Sequence, residues 1–299
     1  MSARGGRRAP RPARSQTVTV PDVLDRKGGT PLVMITAYDA PSARAVEEAG
    51  ADLVLVGDSV GMVVLGQQDT LRVDLDDMVR HTAAVTRTAT RPLVIADMPY
   101  LSYHTGARDA VLAAGRLVRE GGAQAVKLEG GAKRAQVVEA IAAAEIPVVG
   151  HLGLTPQSLH AMGGYRVQGR ALDEIDRLVA DARSLVEAGI FLLVLEGVPA
   201  DVASMITSAV PVPTIGIGAG AGCDGQVLVF HDLLGMSHGP SPRFVRRYAD
   251  LHGAAVGALT SFVQDVRGGS FPAPEESYRL PRDVSEALRR RFAAAREGA

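Results

Sequence analysis

Five consecutive apolar runs of this chain each end in, or just before, an ionisable residue. In chain order these residues are Asp58, Asp97, Glu129, His151 and Glu196. A single acid at such a position is more typical of a helix N-cap or a surface loop than of a site. Five of them on consecutive strands favour a site, because the carboxyl ends of parallel strands lie on one rim of a barrel.

Lys127 lies two residues before Glu129, so on a strand both side chains point to the same face. An inward lysine beside an inward carboxylate is unfavourable unless the charges are paired or bind something charged. One interpretation is a buried ion pair that fills the barrel. The other is a cation for an anionic substrate beside a carboxylate for a metal, and Asp58 and Asp97 on adjoining strands favour it.

Asp58, Asp97 and Glu129 form an oxygen-only set of candidate metal ligands. Such a set favours Mg²⁺ or another hard divalent ion and argues against zinc. A metal with few protein ligands leaves positions open for substrate. A 2-oxo acid is a natural candidate, because its carboxylate and keto oxygens chelate and the metal stabilises the enolate formed when the adjacent carbon loses a proton.

That chemistry needs a base outside the metal shell. Glu196 follows an apolar strand and is the candidate base for this proton abstraction. His151 is the alternative base; it could instead be a rim histidine that orients the substrate or Glu196.

The elements that must position these residues alternate regularly. Short runs rich in Val, Ile and Leu are followed by segments with helical spacing, which is typical of βα units and strands buried on both faces. An open doubly wound sheet would want G-x-G-x-x-G after its first strand, and that motif is absent there. Eight units in about 240 residues predict an α/β fold of the (β/α)8 (TIM) barrel type. The predicted strands are Pro31–Ala37, Ala51–Gly57, Pro92–Ala96, Gln124–Leu128, Ile146–Gly150, Phe191–Leu195, Val212–Gly216 and, more weakly, Leu233–Met236.

Composition excludes several classes of protein. Hydrophobic residues make up 46% of the 299 residues, too many for a largely disordered chain, yet no apolar run is long enough for a membrane span. A net charge of -1 and the absence of Trp argue against a nucleic-acid partner. The single Cys223 fits a reducing compartment, so a cytoplasmic location is expected.

Three segments are predicted. Residues 1–20 hold five arginines and no acid and are predicted to be a disordered tail. Residues 21–268 are predicted to be the barrel, and residues 269–299 a C-terminal extension with a Pro-rich linker and a charged helix. The glycine-rich loop 163–169, after the fifth strand, suits a mobile lid, with an ordinary long loop as the alternative.

At this point the motifs resemble those of the ketopantoate hydroxymethyltransferase family. They run in order over about 240 residues and are specific together. They are Ile35-Thr-Ala-Tyr-Asp39, Val56-Gly-Asp-Ser-Val-Gly-Met62, His81-Thr-Ala-Ala-Val85, Ala96-Asp-Met-Pro99, Val126-Lys-Leu-Glu-Gly-Gly131, Gly150-His-Leu-Gly-Leu-Thr-Pro-Gln157, Gly163-Gly-Tyr-Arg-Val-Gln-Gly169, Leu193-Val-Leu-Glu196, Ile215-Gly-Ile-Gly-Ala-Gly220 and Asp224-Gly-Gln226.

The resemblance implies a barrel of the phosphoenolpyruvate/pyruvate superfamily and a cytoplasmic homo-oligomer, often a decamer. It implies hydroxymethyl transfer from 5,10-methylenetetrahydrofolate to 3-methyl-2-oxobutanoate, giving 2-dehydropantoate for pantothenate and coenzyme A biosynthesis. Carried over residue by residue, Asp58 and Asp97 would ligate Mg²⁺ and contact substrate, and Glu129 would join the metal shell. Ser59 and Lys127 would hold the keto acid, and Glu196 would accept the proton.

Two other functions compete with this one. The first is a Mg²⁺-dependent 2-oxo acid C–C lyase of the same superfamily, which usually carries a catalytic cysteine in a mobile loop; no Cys lies near a plausible lid here. The second is a non-catalytic metabolite sensor on a retained barrel. Such a sensor would be expected to lose the base or the metal carboxylates, and Glu196, Asp58 and Asp97 are all present.

Overall fold

Eight parallel strands close into a barrel in which each strand pairs with its neighbour in sequence and β8 pairs with β1. The computed structural model describes residues 17–237, 239 and 242–297. The predicted (β/α)8 barrel is therefore confirmed. The strands are β1 Leu32–Thr36, β2 Leu53–Val56, β3 Leu93–Asp97, β4 Ala125–Glu129, β5 Val148–Gly153, β6 Ile190–Glu196, β7 Thr214–Ile217 and β8 Gly225–Leu228.

Helices follow the strands and cover the outside of the barrel. Left-handed glycines close several of them before the next strand, such as Gly50 with φ 90° after α2. Short 3₁₀ turns occupy Ala132–Arg134, Pro156–Ser158 and Pro274–Glu276. The α-helices of the described residues are α1 Val20–Leu24, α2 Ala40–Ala49, α3 Val60–Val63, α4 Leu75–Thr86, α5 Ala107–Arg119, α6 Ala135–Ala143, α7 Leu159–Met162, α8 Leu172–Glu187, α9 Ala200–Ala209, α10 Phe230–Leu233, α11 Leu251–Gly268 and α12 Arg282–Glu297.

The weak prediction of an eighth strand at Leu233–Met236 is wrong. The eighth strand is Gly225–Leu228, and Leu233 ends helix α10 instead. In β8 the side chain of Gln226 is exposed between buried neighbours, so the strand alternates and has no continuous apolar run to mark it. The leucines of α10 gave the stronger apolar signal.

Two apolar layers hold the barrel together. One lies between the strands and the helices and includes Val126 and Leu128 of β4. The other fills the barrel interior and includes Ala125 of the same strand. Because side chains alternate along a strand, Lys127 and Glu129 continue the inward face that Ala125 begins, which confirms that they share one face.

The chain divides into two compact units, one ending at Tyr248 and the other beginning at Ala249. In the second unit, the side chain of Asp250 caps α11 by accepting from the backbone N–H of Gly253, and the rings of Phe262 and Phe271 lie 5.2 Å apart. The boundaries predicted at residues 20 and 268 stay predictions, and most of the predicted tail lies outside the described residues. Among the described helices, none combines the length and apolarity that crossing a membrane requires.

Candidate active site

The predicted site residues meet at the carboxyl end of the barrel. Asp58, Asp97, Lys127, Glu129 and His151 are each only 3–4% exposed. Strand register brings two pairs of them together: Asp97 of β3 lies beside Lys127 of β4, and Glu129 of β4 beside His151 of β5. The uppermost inward layer of the barrel is therefore charged, above an interior that is otherwise apolar.

Lys127 forms its ion pair with Asp97. Its Nζ lies 2.7 Å from Asp97 Oδ1, and the other oxygen of Asp97 accepts a hydrogen bond of 3.0 Å from the backbone N–H of Asp58. The same ammonium lies 3.3 Å from His151 Nδ1. Lys127 thus touches one candidate metal ligand and borders another, Glu129, through the imidazole between them.

His151 lies between two carboxylates. Its Nδ1 is 3.4 Å from Glu129 Oε1, and its Nε2 is 3.3 Å from Glu196 Oε2. Burial and the charge of Lys127 lower the pKa of His151, but the hydrogen bonds to Glu129 and Glu196 outweigh them and raise it to about 9. Burial likewise raises the pKa of Glu129, and the hydrogen bond and charge of His151 outweigh it and lower that pKa. At neutral pH the imidazole is a cation beside an ionised Glu129.

Glu196 is the most accessible acid of the group. About 17% of its side chain is exposed, against 2% for Glu129. It ends the longest strand, β6, and lies opposite Gly153 of β5. A carboxylate held by a histidine and open to the barrel mouth is suited to take a proton from a substrate bound there.

Asp58 is the candidate metal ligand whose negative charge is least compensated. Burial raises its pKa well above the usual 3.8, and the charges of Asp97 and Glu129 raise it further. Within the described part of the chain, Asp58 forms no ion pair, whereas Asp97 and Glu129 each have a cationic neighbour. A cation bound beside Asp58 would relieve this repulsion, so the electrostatics of the site fit one.

The donor set also fits a hard divalent ion, because all three acids offer only oxygen. Among the described residues, no group of three or more His, Cys, Asp or Glu side chains has the arrangement of a metal site. Mg²⁺ does not require such a group, since it usually keeps several waters and takes one or two carboxylates from the protein.

Ser59 follows Asp58 at the start of α3, and its Oγ lies 2.8 Å from the hydroxyl of Tyr38. Tyr38 is itself buried, and its backbone oxygen lies 2.7 Å from His81 Nδ1. Sequence reasoning assigned no role to Tyr38, although it lies in one of the quoted motifs.

Gln157 and Tyr103 are two further buried residues that sequence reasoning left without a role. Gln157 Nε2 donates to Asp58 Oδ2 over 2.8 Å, and its backbone N–H donates to Glu129 Oε2 over 3.0 Å. The hydroxyl of Tyr103 donates to Gln157 Oε1 over 2.6 Å. Gln157 could have been found in the sequence because it ends the family motif Gly150-His-Leu-Gly-Leu-Thr-Pro-Gln157. Tyr103 lies in none of the quoted motifs, so no sequence signal pointed to it.

The loop 163–169 contacts two segments that lie next to site residues in the chain. Tyr165 Oη lies 3.8 Å from Met62 Sδ, and the backbone N–H of Gln168 donates to Gly197 O next to Glu196. Burial raises the pKa of Tyr165, and the charges of Asp69, Asp58, Glu196 and Glu129 raise it further, so the ring borders the site.

Comparison with known proteins gives one consistent match. The chain matches the family described as ketopantoate hydroxymethyltransferase over residues 17–274. It is 55% identical over 268 residues to the 3-methyl-2-oxobutanoate hydroxymethyltransferase of Moorella thermoacetica, covering 89% of this chain and 100% of that protein. It is 52% identical over 272 residues to the protein of the same name from Koribacter versatilis, covering 91% and 92%.

Solved structures share the fold at much lower identity. A 2,3-dimethylmalate lyase, described as a member of the PEP mutase/isocitrate lyase superfamily, has a TM-score of 0.56 at 18% identity and covers 93% of this chain and 96% of its own. Phosphonopyruvate hydrolase in complex with oxalate and Mg²⁺ also has a TM-score of 0.56, at 15% identity, and covers 94% and 99%. These similarities support the barrel architecture alone.

Proposed function

The chain belongs to the ketopantoate hydroxymethyltransferase family, and from that membership we propose that it makes 2-dehydropantoate from 3-methyl-2-oxobutanoate. The donor is 5,10-methylenetetrahydrofolate. C3 of the keto acid loses its proton and bonds to the methylene carbon, both C–N bonds of that carbon break, and water supplies the hydroxyl. Tetrahydrofolate leaves with the C3 proton and the remaining water proton on its nitrogens. The observation that carries the proposal is the buried, charged layer at the barrel mouth, to which four of the family motifs contribute, with Glu196 from a fifth motif beside it.

Asp58, Asp97 and Glu129 would hold Mg²⁺. When bound, the ion supplies Lewis-acid stabilisation of negative charge on the oxygens of the keto acid. Asp58 contributes the carboxylate that has no ion pair among the described residues, and Asp97 contributes a carboxylate that is paired with Lys127.

Glu196 takes the proton from C3 of the keto acid. His151 is the weaker candidate for this step, because a pKa of about 9 leaves it protonated at neutral pH and unable to accept another proton. Its Nε2 instead orients the Glu196 carboxylate. Lys127 and Ser59 hold the keto acid, Lys127 through its charge and Ser59 through a hydroxyl that Tyr38 positions.

The test is an assay of the purified protein with 3-methyl-2-oxobutanoate and 5,10-methylenetetrahydrofolate. We expect formation of 2-dehydropantoate that stops with EDTA and returns with excess Mg²⁺. The proposal would be contradicted if no 2-dehydropantoate formed at any concentration of Mg²⁺ or of the folate. Cleavage of a 2-oxo diacid such as oxaloacetate in place of this reaction would support the lyase alternative.

The lyase alternative is the weaker candidate for a structural reason. The single Cys223 lies between β7 and β8, and burial raises the pKa of its thiol. A partly buried thiol with a raised pKa is a poor acid and is rarely the reactive thiolate at neutral pH. The metabolite-sensor alternative has no feature that favours it, because the base and the metal carboxylates are retained together.

We also propose a cytoplasmic homo-oligomer, as the family resemblance implies. Light scattering on the eluate of a size-exclusion column measures the mass of the assembly. A mass near that of one 31.2 kDa chain would contradict this part of the proposal.

A further inference from the structure

Gln157 connects two of the three candidate metal carboxylates. It lies in the 3₁₀ turn Pro156–Ser158 that follows β5, and it is buried. Its side chain donates to Asp58 Oδ2 and its backbone N–H donates to Glu129 Oε2. A single residue from the β5 loop thus contacts acids that follow β2 and end β4.

The orientation of the Gln157 amide is determined by its surroundings. Nε2 donates to Asp58 Oδ2 over 2.8 Å and to the backbone oxygen of Met98 over 3.0 Å, and both are acceptors. Oε1 accepts from the hydroxyl of Tyr103. That hydroxyl accepts in turn from the backbone N–H of Glu129 over 3.2 Å, so its hydrogen is directed to Gln157. A flipped amide would place Oε1 against two acceptors.

This arrangement acts on Asp58. A carboxylate oxygen that accepts a buried hydrogen bond from an amide is held in place and is a weaker ligand for a cation in the same plane. Among the described residues none donates a hydrogen bond to the other oxygen, Oδ1, so Oδ1 is the oxygen of Asp58 that stays available to an ion. We propose that Gln157, held by Tyr103, is a positioning residue that restricts Asp58 to one-oxygen coordination and so favours Mg²⁺ over Ca²⁺.

The selectivity follows from the different demands of the two ions. Mg²⁺ requires a nearly octahedral shell at about 2.0–2.1 Å and is served by single oxygens, whereas Ca²⁺ takes 6–8 oxygens at about 2.3–2.6 Å and often uses both oxygens of a carboxylate. A hydrogen bond from Gln157 that holds Oδ2 of Asp58 would disfavour coordination of an ion by both oxygens of that carboxylate. The inference rests on the proposed metal role of Asp58.

The test compares metal affinities in Gln157→Met, which keeps the side-chain length and removes the amide. Mn²⁺ is titrated into the protein and its free signal is followed by electron paramagnetic resonance; Mg²⁺ and Ca²⁺ then displace it. Removing a hydrogen bond to a metal-bound carboxylate typically weakens metal affinity by about 10–100-fold. We expect Mg²⁺ to weaken by about tenfold and Ca²⁺ to change little, so the preference for Mg²⁺ falls by about tenfold.

Two further variants make the result decisive. Gln124→Met makes the same chemical change at the start of β4, where Gln124 Oε1 accepts from the backbone N–H of Val94, and it should keep the wild-type preference. Tyr103→Phe leaves the Gln157 amide without its hydroxyl donor and should reduce the preference by a smaller factor. If Gln157→Met does not fold, Tyr103→Phe decides.

An equal loss of Mg²⁺ and Ca²⁺ affinity, or no loss, would overturn the inference. Wild-type protein that prefers Mg²⁺ but makes no 2-dehydropantoate would instead overturn the proposed function and leave this inference standing.

Discussion

At the residue scale, His151 separates two carboxylates that have different proposed tasks. Glu129 lies on its Nδ1 side among the metal ligands, and Glu196 lies on its Nε2 side near the mouth of the barrel. Each acid lies within ion-pair distance of one nitrogen of the His151 imidazole. The chemistry of proton abstraction is therefore assigned to Glu196, and His151 becomes a residue that keeps that carboxylate in place.

Glu196→Gln should abolish exchange of the C3 hydrogen of 3-methyl-2-oxobutanoate with deuterated water. Loss of a general base costs on the order of 10²–10⁴ in rate, and the glutamine oxygen can still accept from His151. Proton NMR in D₂O follows the exchange, with folate added if exchange requires it, and calorimetry checks that Mg²⁺ and keto acid still bind.

His151→Asn is the matched comparison and should retain measurable exchange. Wild-type exchange in Glu196→Gln together with none in His151→Asn would reverse the two roles.

Lys127→Met should separate substrate binding from metal binding. Loss of the ammonium removes the positive charge proposed to face the keto acid, so its KM should rise by about 10–100-fold, as expected for a hydrogen bond to a charged group. Asp97 loses its ion-pair partner at the same time, so Mg²⁺ should bind at least as tightly as in wild type. Steady-state kinetics and the Mn²⁺ titration measure the two effects; weakened metal with an unchanged KM would count against this role.

At the scale of elements, a hydrogen-bond cluster around Asp224, at the opposite end of the barrel, joins the loop after α1 to β7 and β8. Asp224 accepts from Lys27 Nζ over 2.9 Å and from the backbone N–H groups of Gly28 and Thr214, each over 2.8 Å. Burial raises the pKa of Asp224, but these hydrogen bonds and the charge of Lys27 outweigh it and lower the pKa. This hydrogen-bond cluster contains no residue of the proposed site, so a variant of Asp224 reports on stability alone.

Asp224→Asn should lower the free energy of unfolding by about 2–3 kcal/mol at pH 7, because an amide nitrogen would face donors and Lys27 would lose its counter-ion. The lowered folded-state pKa means that this stabilisation is complete above the usual carboxyl pKa of 3.8 and is lost as pH falls through the folded value. The difference in free energy of unfolding between wild type and variant should therefore become smaller at acid pH.

Urea denaturation at pH 7 and at about pH 3 measures this difference. Asp173→Asn, which breaks an exposed pair with Arg177 on α8, is the control and should change stability by no more than about 0.5 kcal/mol. If the difference in free energy of unfolding stays constant or increases at acid pH, Asp224 does not act through its charge.

The same scale shows what a sequence can and cannot predict. The strands buried on both faces, such as β3 and β4, were visible as continuous apolar runs. The strand β8 was missed because Gln226 interrupts its pattern. The acids at the strand ends were visible because an ionisable residue stands out after an apolar run. The contact between Tyr103 and Gln157 was not, because it joins two loops 54 residues apart and depends on the closed barrel.

At the scale of the whole molecule, the carboxylates of the proposed metal site lower the stability of the metal-free barrel. Three buried carboxylates lie near one another, and burial with mutual repulsion raises the pKa of Asp58 and of Asp97. Without a bound metal ion, ionising Asp58 and Asp97 stabilises the unfolded chain relative to the barrel. A bound divalent ion reverses this balance, because it binds the folded state and adds RT ln(1 + [L]/Kd) to its stability.

Asp58→Asn should therefore change the thermal stability of the barrel in opposite directions with and without metal. In EDTA the variant should melt above wild type, because one of three repelling charges is gone while the new amide oxygen can still accept from Gln157. With Mg²⁺ at about 100 times its Kd, wild type should gain about 2.7 kcal/mol, or about 5–10 °C for a barrel of this size, whereas the variant should gain little. Calorimetry at one fixed protein concentration measures both shifts.

An equal Mg²⁺ shift in the two proteins would show that the ion binds elsewhere, and a variant that melts below wild type in EDTA would show that Asp58 stabilises the metal-free barrel.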